Sequence, residues 1–409
     1  MSTRTLANLY NTAARLWLVA AGAALLLPVS ARLGNWLPLH LALAGAVSVA
    51  ISGNMMSFAA ALTATRGPAP AVAWIQFGLV NSGATLIAVG YPRGHPALVA
   101  AGGACFVGSL LIVLGVVANA WRTGLNRRHP LPMALYGVAV CFALAGGTLG
   151  AVLGSGAVEP SRLEALRDAH LTLNVLGWAS ITIVATLMTL LPTVLRIRMP
   201  WWNAPAAAAC LVGGLGLLAG GLATGARVIS TGGAALYWAG GIQVAVMVAR
   251  GLAGPRNWPV PVTAKHMVGA VSWFVCGGAA LVVACARGSF DAFVPVLEVV
   301  FVCGWVLQTL IGSWLYLLPV SRPGGPVERR VWFTAVEVGA DVQVAAANLG
   351  LVLLALAVAG ALPSAAGTIG AAVAIAAAAA ALVKSWTYPT LGQLPAMRRA
   401  SEERWNRRA

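Results

Sequence analysis

Long apolar runs separated by short polar links dominate the pattern of this 409-residue chain. At ~1.5 Å of rise per residue, each run is long enough to cross a bilayer core of ~30 Å as an α-helix. The runs lack the ~10-residue alternation of a membrane β-barrel. The pattern therefore predicts an all-α polytopic membrane protein with about twelve transmembrane helices. The predicted spans are residues 12–30, 36–62, 69–90, 96–121, 131–156, 168–193, 203–224, 229–249, 265–286, 291–319, 332–361 and 364–387.

The sixth predicted span is one copy of an internal repeat. It runs from His170 to Pro192 without a charged residue, and a run opened by His40 aligns with it without gaps at an offset of 130. A third run aligns at an offset of 127, where Leu297 takes the place of the histidine and Glu298 stands beside it. The matched pairs include Ile51 with Ile181, Arg66 with Arg196, Trp178 with Trp305 and Pro192 with Pro319.

These offsets predict how the domain is organised. We expect three four-helix repeats, at about residues 1–128, 129–258 and 259–390, related by pseudo-threefold symmetry. Together they would form a single transmembrane domain over residues 1–397, followed by a basic cytoplasmic tail over residues 398–409. The links between the predicted spans are too short to form a further domain.

Composition agrees with a membrane location. The chain is 59% hydrophobic and 9% charged, with a mean hydropathy of +0.84, whereas a soluble domain carries about 25% charged residues. The formal net charge of +16 does not indicate nucleic-acid binding, because the arginines lie between apolar runs, as charges beside a membrane do. We therefore expect the lipid bilayer to be the main partner, and no nucleic acid to bind.

The positive charges also predict an orientation. With the N-terminus in the cytoplasm, 20 of the 26 lysines and arginines fall on the cytoplasmic side. This asymmetry favours a multi-pass protein of the cell (inner or plasma) membrane with both termini in the cytoplasm. The six on the outer side are Arg32, Arg93, Arg162, Arg167, Arg227 and Arg287.

Two histidines are the strongest candidates for a site. In the predicted topology, His40 and His170 lie near the outer ends of equivalent helices, and Asn174 lies one turn from His170 on the same helix face. Neutral imidazole is a common ligand of haem iron and copper. The alternative is that each histidine only makes a hydrogen bond between helices near the lipid headgroups. His95 and His129 fall in links and are predicted to be solvated.

A second group of ionisable residues is a candidate for proton or ion handling, because charges inside a membrane are rare and costly. Glu298 begins the third copy of the repeat, and His266 follows Lys265 at the start of the ninth span. Glu337 and Asp341 are four residues apart, which on one helix would place them on a common face, with Arg329 and Arg330 as candidate partners. The alternative is an interfacial ion cluster that anchors the helix.

Polar amides inside the apolar runs are expected to make hydrogen bonds between helices, each contributing about 0.6 kcal/mol. They are Asn54, Gln76, Asn81, Gln243, Gln308 and Asn348.

Twelve spans in three repeats, with histidines in spans 2 and 6, resemble the subunit I superfamily of haem–copper oxidases. The sequence HLTLNVLGWASITIVATLMTLLPTVLRIRM, which begins at His170, is closer to NnrS-like proteins and to the membrane portion associated with actinobacterial copper oxidases and copper nitrite reductases. The resemblance implies b-type haem, with copper as the other candidate, at His40 and His170. It implies a role in electron transfer, or in handling nitric oxide, nitrite or copper, and a periplasmic copper protein or cytochrome as partner.

The chain departs from that superfamily at its binuclear centre. Residues 203–224 lack the histidine pair of span 7, and residues 291–319 lack the histidines of span 10. A complete oxygen-reducing centre and a haem held by spans 2 and 10 are therefore both excluded. Two other function classes stay open. One is a twelve-span secondary transporter, although residues 64–69 lack the cytoplasmic loop motif of the major facilitators. The other is a cofactor-free accessory or assembly subunit.

Overall fold

The computed structural model describes residues 3–254, 259–321 and 325–391. The predicted basic tail over residues 398–409 lies outside these residues. The described chain is all-helical, which confirms the predicted all-α fold class. In chain order its thirteen helices are α1 (Thr3–Ala24), α2 (Trp36–Thr63), α3 (Pro70–Gly90), α4 (Pro96–Thr123), α5 (Pro130–Gly154), α6 (Pro160–Leu195), α7 (Ala204–Thr224), α8 (Arg227–Ala253), α9 (Val262–Arg287), α10 (Phe290–Ser321), α11 (Pro326–Val336), α12 (Ala340–Val358) and α13 (Ser364–Leu391).

Eleven of the described helices, all except α1 and α11, are long and apolar enough to cross a membrane. The chain is thus a polytopic membrane protein whose lipid-facing helices contact the bilayer. Proline at the first helical position begins α3, α4, α5 and α6, where its missing N–H costs no hydrogen bond.

Two predicted spans differ from the observed helices. The first predicted span, residues 12–30, was placed too late, because α1 ends at Ala24 and the chain then turns. Hydropathy missed the earlier start, since polar residues such as Asn8 and Asn11 precede residue 12. Arg15, a charged residue within the predicted span, also lies in this helix. The side chains of Asn11 and Arg15 are nevertheless buried, and Arg15 Nε donates to the Asn11 carbonyl at 3.1 Å.

The second difference is at the predicted eleventh span, residues 332–361. It is two helices, α11 and α12, because the chain turns between them with Gly339 at a φ of 65°. Glu337 lies in that turn and Asp341 begins the next helix. The prediction that these two carboxylates share one helix face is therefore wrong.

The described chain divides into two compact units. Unit 1 comprises Met1–Thr189, Trp201–Val244 and Leu281–Asp291, and unit 2 comprises Leu190–Pro200, Ala245–Ala280 and Ala292–Ala409.

Within unit 1, glycines bring α7 and α8 into backbone contact. A Cβ atom added to Gly233 would lie 2.3 Å from the backbone nitrogen of Leu218 and 2.7 Å from the carbonyl oxygen of Gly214. A Cβ atom on Gly221 would lie 2.4 Å from the backbone nitrogen of Ser230. Small residues allow such close approach between helices in lipid.

The amides predicted to bond between helices do so in both units. In unit 1, Asn54 bonds with Asn11, Gln76 accepts from Tyr10 at 2.6 Å, Asn81 accepts from Trp17 at 2.8 Å, and Gln243 accepts from Asn203. In unit 2, Gln308 donates to Asn348 at 3.3 Å and Trp273 donates to the same oxygen at 2.8 Å.

Candidate functional site

The candidate site lies in unit 1, where His40 is held by its own helix. Its Nδ1 atom lies 2.8 Å from the carbonyl oxygen of Trp36, one turn earlier in α2. Its ring stacks on the Trp36 ring, with centroids 4.0 Å apart, and Trp36 stacks in turn on Tyr91 at 4.4 Å. Tyr91 is 41% exposed. The three rings therefore form a continuous stack from the surface to a half-buried imidazole.

His170 is held by a neighbouring helix. Its Nδ1 atom lies 2.8 Å from the carbonyl oxygen of Gly146 in α5. A Cβ atom on Gly150 would lie 2.5 Å from Cε1 of His170, so this glycine leaves the space that the ring occupies. Asn174 Nδ2 lies 3.2 Å from His170 Nδ1 and donates to the His170 carbonyl oxygen at 2.8 Å. Packing on α5 thus fixes the ring from two sides.

These bonds determine the tautomer of each histidine. A carbonyl oxygen only accepts hydrogen bonds, so Nδ1 of each neutral ring carries the hydrogen and Nε2 keeps its lone pair. Within the described part of the chain, no protein group bonds to Nε2 of His40 or His170. Nε2 of each imidazole is therefore available to accept a hydrogen bond or to bind a metal ion.

A hydrogen bond between α2 and α6 places the two histidine-bearing helices side by side. Trp178 Nε1 donates to Ser48 Oγ at 3.0 Å, and these two residues are 130 positions apart. They are therefore equivalent positions of the internal repeat, each eight residues after its histidine.

A stretch of π-helix interrupts each of the three equivalent helices. These stretches are Leu41–Val47 in α2, Leu173–Ile181 in α6 and Glu298–Leu307 in α10. In α2, Ser48 Oγ donates to the carbonyl of Leu43, five residues earlier, and Ser180 does the same for Val175 in α6. Because π-helical stretches are rare and occur frequently at functional sites, their recurrence at matched positions supports both the repeat and the site.

Sequence reasoning missed Asp168, a buried carboxylate two residues before His170. Asp168 is 5% exposed and accepts from Arg167 at 3.0 Å, and Arg167 also bonds Asp291 at 2.6 Å. The sequence signal was a carboxylate two residues before the histidine that opens the apolar run. Arg167 and Arg32 are two of the six cations that the sequence places on the outer side. Arg167 has two carboxylate partners within unit 1, and Arg32 bonds the Gly34 carbonyl and Asn35.

The second predicted group of ionisable residues belongs to unit 2. Asp341 pairs with Lys265, and Glu337 accepts from the backbone N–H of Val262 at 2.9 Å. Arg329 and Arg330, the candidate partners in the sequence, lie in α11. Glu298 is half-buried and begins the π-helical stretch of α10.

The remaining three histidines differ in how deeply they are buried. His95 and His129 immediately precede α4 and α5, with His95 exposed and His129 half-buried. His266 is 3% exposed, and both of its ring nitrogens are sealed from solvent without a partner in the described chain.

Comparison with known proteins adds no relative. No protein-family model matches the chain, and no curated protein matches it. The resemblance to haem–copper oxidases therefore stays a prediction. Among the described residues, no group of three or more histidines, cysteines or carboxylates could hold a metal ion.

Replacing Gly150 by alanine is expected to displace the ring of His170, because the new methyl group would overlap Cε1. The hydrogen bond from Nδ1 to the Gly146 carbonyl should then be lost. Nitrogen-15 NMR of histidine-labelled protein measures this bond through the Nδ1 signal, assigned with His170→Gln. Gly137→Ala, on the same helix with nothing within 4 Å, is the matched control. Identical spectra for Gly150→Ala and the unmodified protein would contradict the packing.

Proposed function

We propose that this integral membrane protein binds a redox-active metal cofactor, b-type haem before copper, through Nε2 of His40 and His170. One observation carries the proposal. Both rings, at equivalent positions of neighbouring helices, use Nδ1 on a backbone carbonyl and leave Nε2 without a protein partner. Ligand histidines of metal sites are oriented in the same way, since the second ring nitrogen fixes the tautomer and direction of the first.

The donor set suits haem better than a protein-bound copper ion. Haem iron takes four nitrogens from the porphyrin, so one or two histidines complete its coordination. A copper ion held by the protein alone generally needs three or more donors, and none of the described clusters supplies three. When bound, haem supplies one-electron chemistry.

The surrounding residues would orient the ligands and control access to them. The carbonyls of Trp36 and Gly146 hold the two rings, and Asn174 packs against His170 Nδ1. Trp36 covers one face of His40 and is itself covered by Tyr91. We propose electron transfer as the role of the site, with nitric-oxide, nitrite or copper handling as its physiological context. A periplasmic copper protein or cytochrome would be the partner.

The deciding experiment is the absorption spectrum of the purified protein, expressed with ample haem and copper. We expect a Soret band, a dithionite-reduced minus oxidised difference spectrum and a positive pyridine haemochrome assay. Elemental analysis measures iron and copper in the same sample. A protein that carries neither haem nor copper would contradict the proposal, and transport or an accessory role would then be the better function.

A further inference from the structure

A buried polar layer in unit 2 has hydrogen-bonding groups that the described chain leaves without partners. His266, Gln308, Thr309 and Gln343 are each 3–6% exposed. Six of their polar atoms are sealed from solvent and unbonded: Nδ1 and Nε2 of His266, Oε1 of Gln308, Oγ1 of Thr309, and Oε1 and Nε2 of Gln343. We call these four residues the unit 2 polar layer.

Contacts among three helices place these residues at one level. A Cβ atom on Gly312 of α10 would lie 2.6 Å from Cβ of His266 in α9, and Thr309 is three residues before Gly312 on the same helix face. Between α9 and α12, Lys265 pairs with Asp341, and a Cβ atom on Gly269 would lie 3.2 Å from Asn348 Oδ1.

The two contacts between α9 and α12, Lys265 with Asp341 and Gly269 with Asn348, lie on either side of the layer. His266 follows Lys265 and precedes Gly269, just as Gln343 follows Asp341 and precedes Asn348. A Cβ atom on Gly269 would also lie 2.8 Å from Gln308 Nε2. His266 and Gln343 therefore lie at one level between the paired contacts, and Gln308 and Thr309 reach that level from α10.

Such a layer is too costly to remain unbonded. More than nine in ten buried polar groups in proteins have a hydrogen-bond partner. The summed penalty for six unbonded atoms would rival the whole folding free energy of a typical domain. A molecule that bonds these atoms would remove this penalty.

The hydrogen-bonding groups of the layer indicate which kind of molecule would bind there. A neutral imidazole, a hydroxyl and an amide N–H₂ supply donors, while the imidazole, the hydroxyl and two amide oxygens supply acceptors. None of the four residues carries a carboxylate or a thiolate, which disfavours a metal cation. Charged groups next to the layer in sequence include Lys265, which pairs with Asp341, and Glu337.

We infer that the unit 2 polar layer is an internal binding site for water, in which His266 exchanges protons with the bound molecules. Water is small, uncharged, and both donates and accepts, and a buried water typically makes about three hydrogen bonds to groups of this kind. The site lies within unit 2 and does not depend on the proposed cofactor site in unit 1.

Apolar replacements test whether the layer is hydrated. We expect Gln343→Leu and Thr309→Val each to lower the midpoint of thermal unfolding by a few degrees, because each leaves bound water with fewer partners. If the layer holds no water, both replacements should instead raise the midpoint, because an apolar group of similar size removes an unbonded polar atom. Thr368→Val, at an exposed threonine in α13, is the matched control and should leave the midpoint unchanged.

Water-edited NMR of protein labelled with nitrogen-15 histidine gives an independent measurement. The chain has five histidines, and His266→Gln identifies the signal of interest. We expect rapid magnetisation transfer from water to the His266 ring, and a clear reduction in Gln343→Leu. Absence of transfer would overturn the inference even with lowered midpoints, because the side chains would then bond one another. Unchanged or raised midpoints would also overturn it, whether or not transfer is seen.

Discussion

His170→Ala is expected to abolish the Soret band of the purified protein, and His40→Ala is expected to do the same. Each variant removes one of the two Nε2 atoms proposed to bind iron. The remaining imidazole cannot move to take its place, because backbone carbonyls fix both rings. Loss of a direct ligand should cost more than the 10–100-fold in affinity that is typical of losing a residue that only supports one. The measurement is the haem content per protein by pyridine haemochrome assay.

Matched controls separate ligand loss from unfolding. His95→Ala and His129→Ala remove imidazoles that immediately precede helices and have no part in the site, so both should keep the full band. Size-exclusion profiles and membrane insertion should be the same for all four variants. If His40→Ala and His170→Ala both keep an unchanged Soret band while insertion is normal, the assigned ligands are wrong.

Gly233→Ala is expected to destabilise the protein severely, although it adds a single methyl group. That group would lie 2.3 Å from the backbone nitrogen of Leu218 and 2.7 Å from the Gly214 carbonyl oxygen. Backbone atoms cannot rotate away, so α7 and α8 would have to separate. Overpacking typically costs about 1–3 kcal/mol, and the backbone contacts place this variant at or above the upper end. The measurement is the thermal unfolding midpoint in detergent.

The neighbouring glycine provides the control. Gly232 has nothing within 4 Å of its added Cβ atom and lies in the same helix. Gly232→Ala should therefore be neutral or slightly stabilising, since alanine is favoured over glycine in a helix interior by roughly 0.5–1 kcal/mol. Equal midpoints for the two variants would contradict the close packing of α7 on α8.

Hydropathy and prolines account for most of the helix boundaries that the sequence predicted. The predicted starts at residues 69, 96 and 131 lie within one position of Pro70, Pro96 and Pro130. Hydropathy failed where a polar residue is nevertheless buried, as at Asn11, which belongs to α1 but precedes the predicted start at residue 12. It also gave no sign of the turn at Gly339, because apolar residues flank the turn on both sides.

The candidate site was only partly predictable. The offset of 130 identified His40 and His170 as equivalent, and the Ser48–Trp178 bond joins two positions with that spacing. The bond from His170 to the Gly146 carbonyl joins residues 24 positions apart and depends on how α5 packs. The π-helical stretches also depend on tertiary packing and have no local sequence signature. The partner of Asp341 was missed because Lys265 is 76 positions away.

The length of α2 gives an estimate of how deep His40 lies in the membrane. The helix continues for 23 residues beyond this histidine before it ends at Thr63, a rise of about 35 Å. A hydrocarbon layer of about 30 Å would end roughly one turn short of the imidazole. Trp36, one turn further out, is an aromatic residue of the kind that settles among lipid headgroups. With Thr63 at the opposite edge of the hydrocarbon layer, the imidazole would lie at headgroup depth, where a water-soluble reactant could reach it without entering the hydrocarbon.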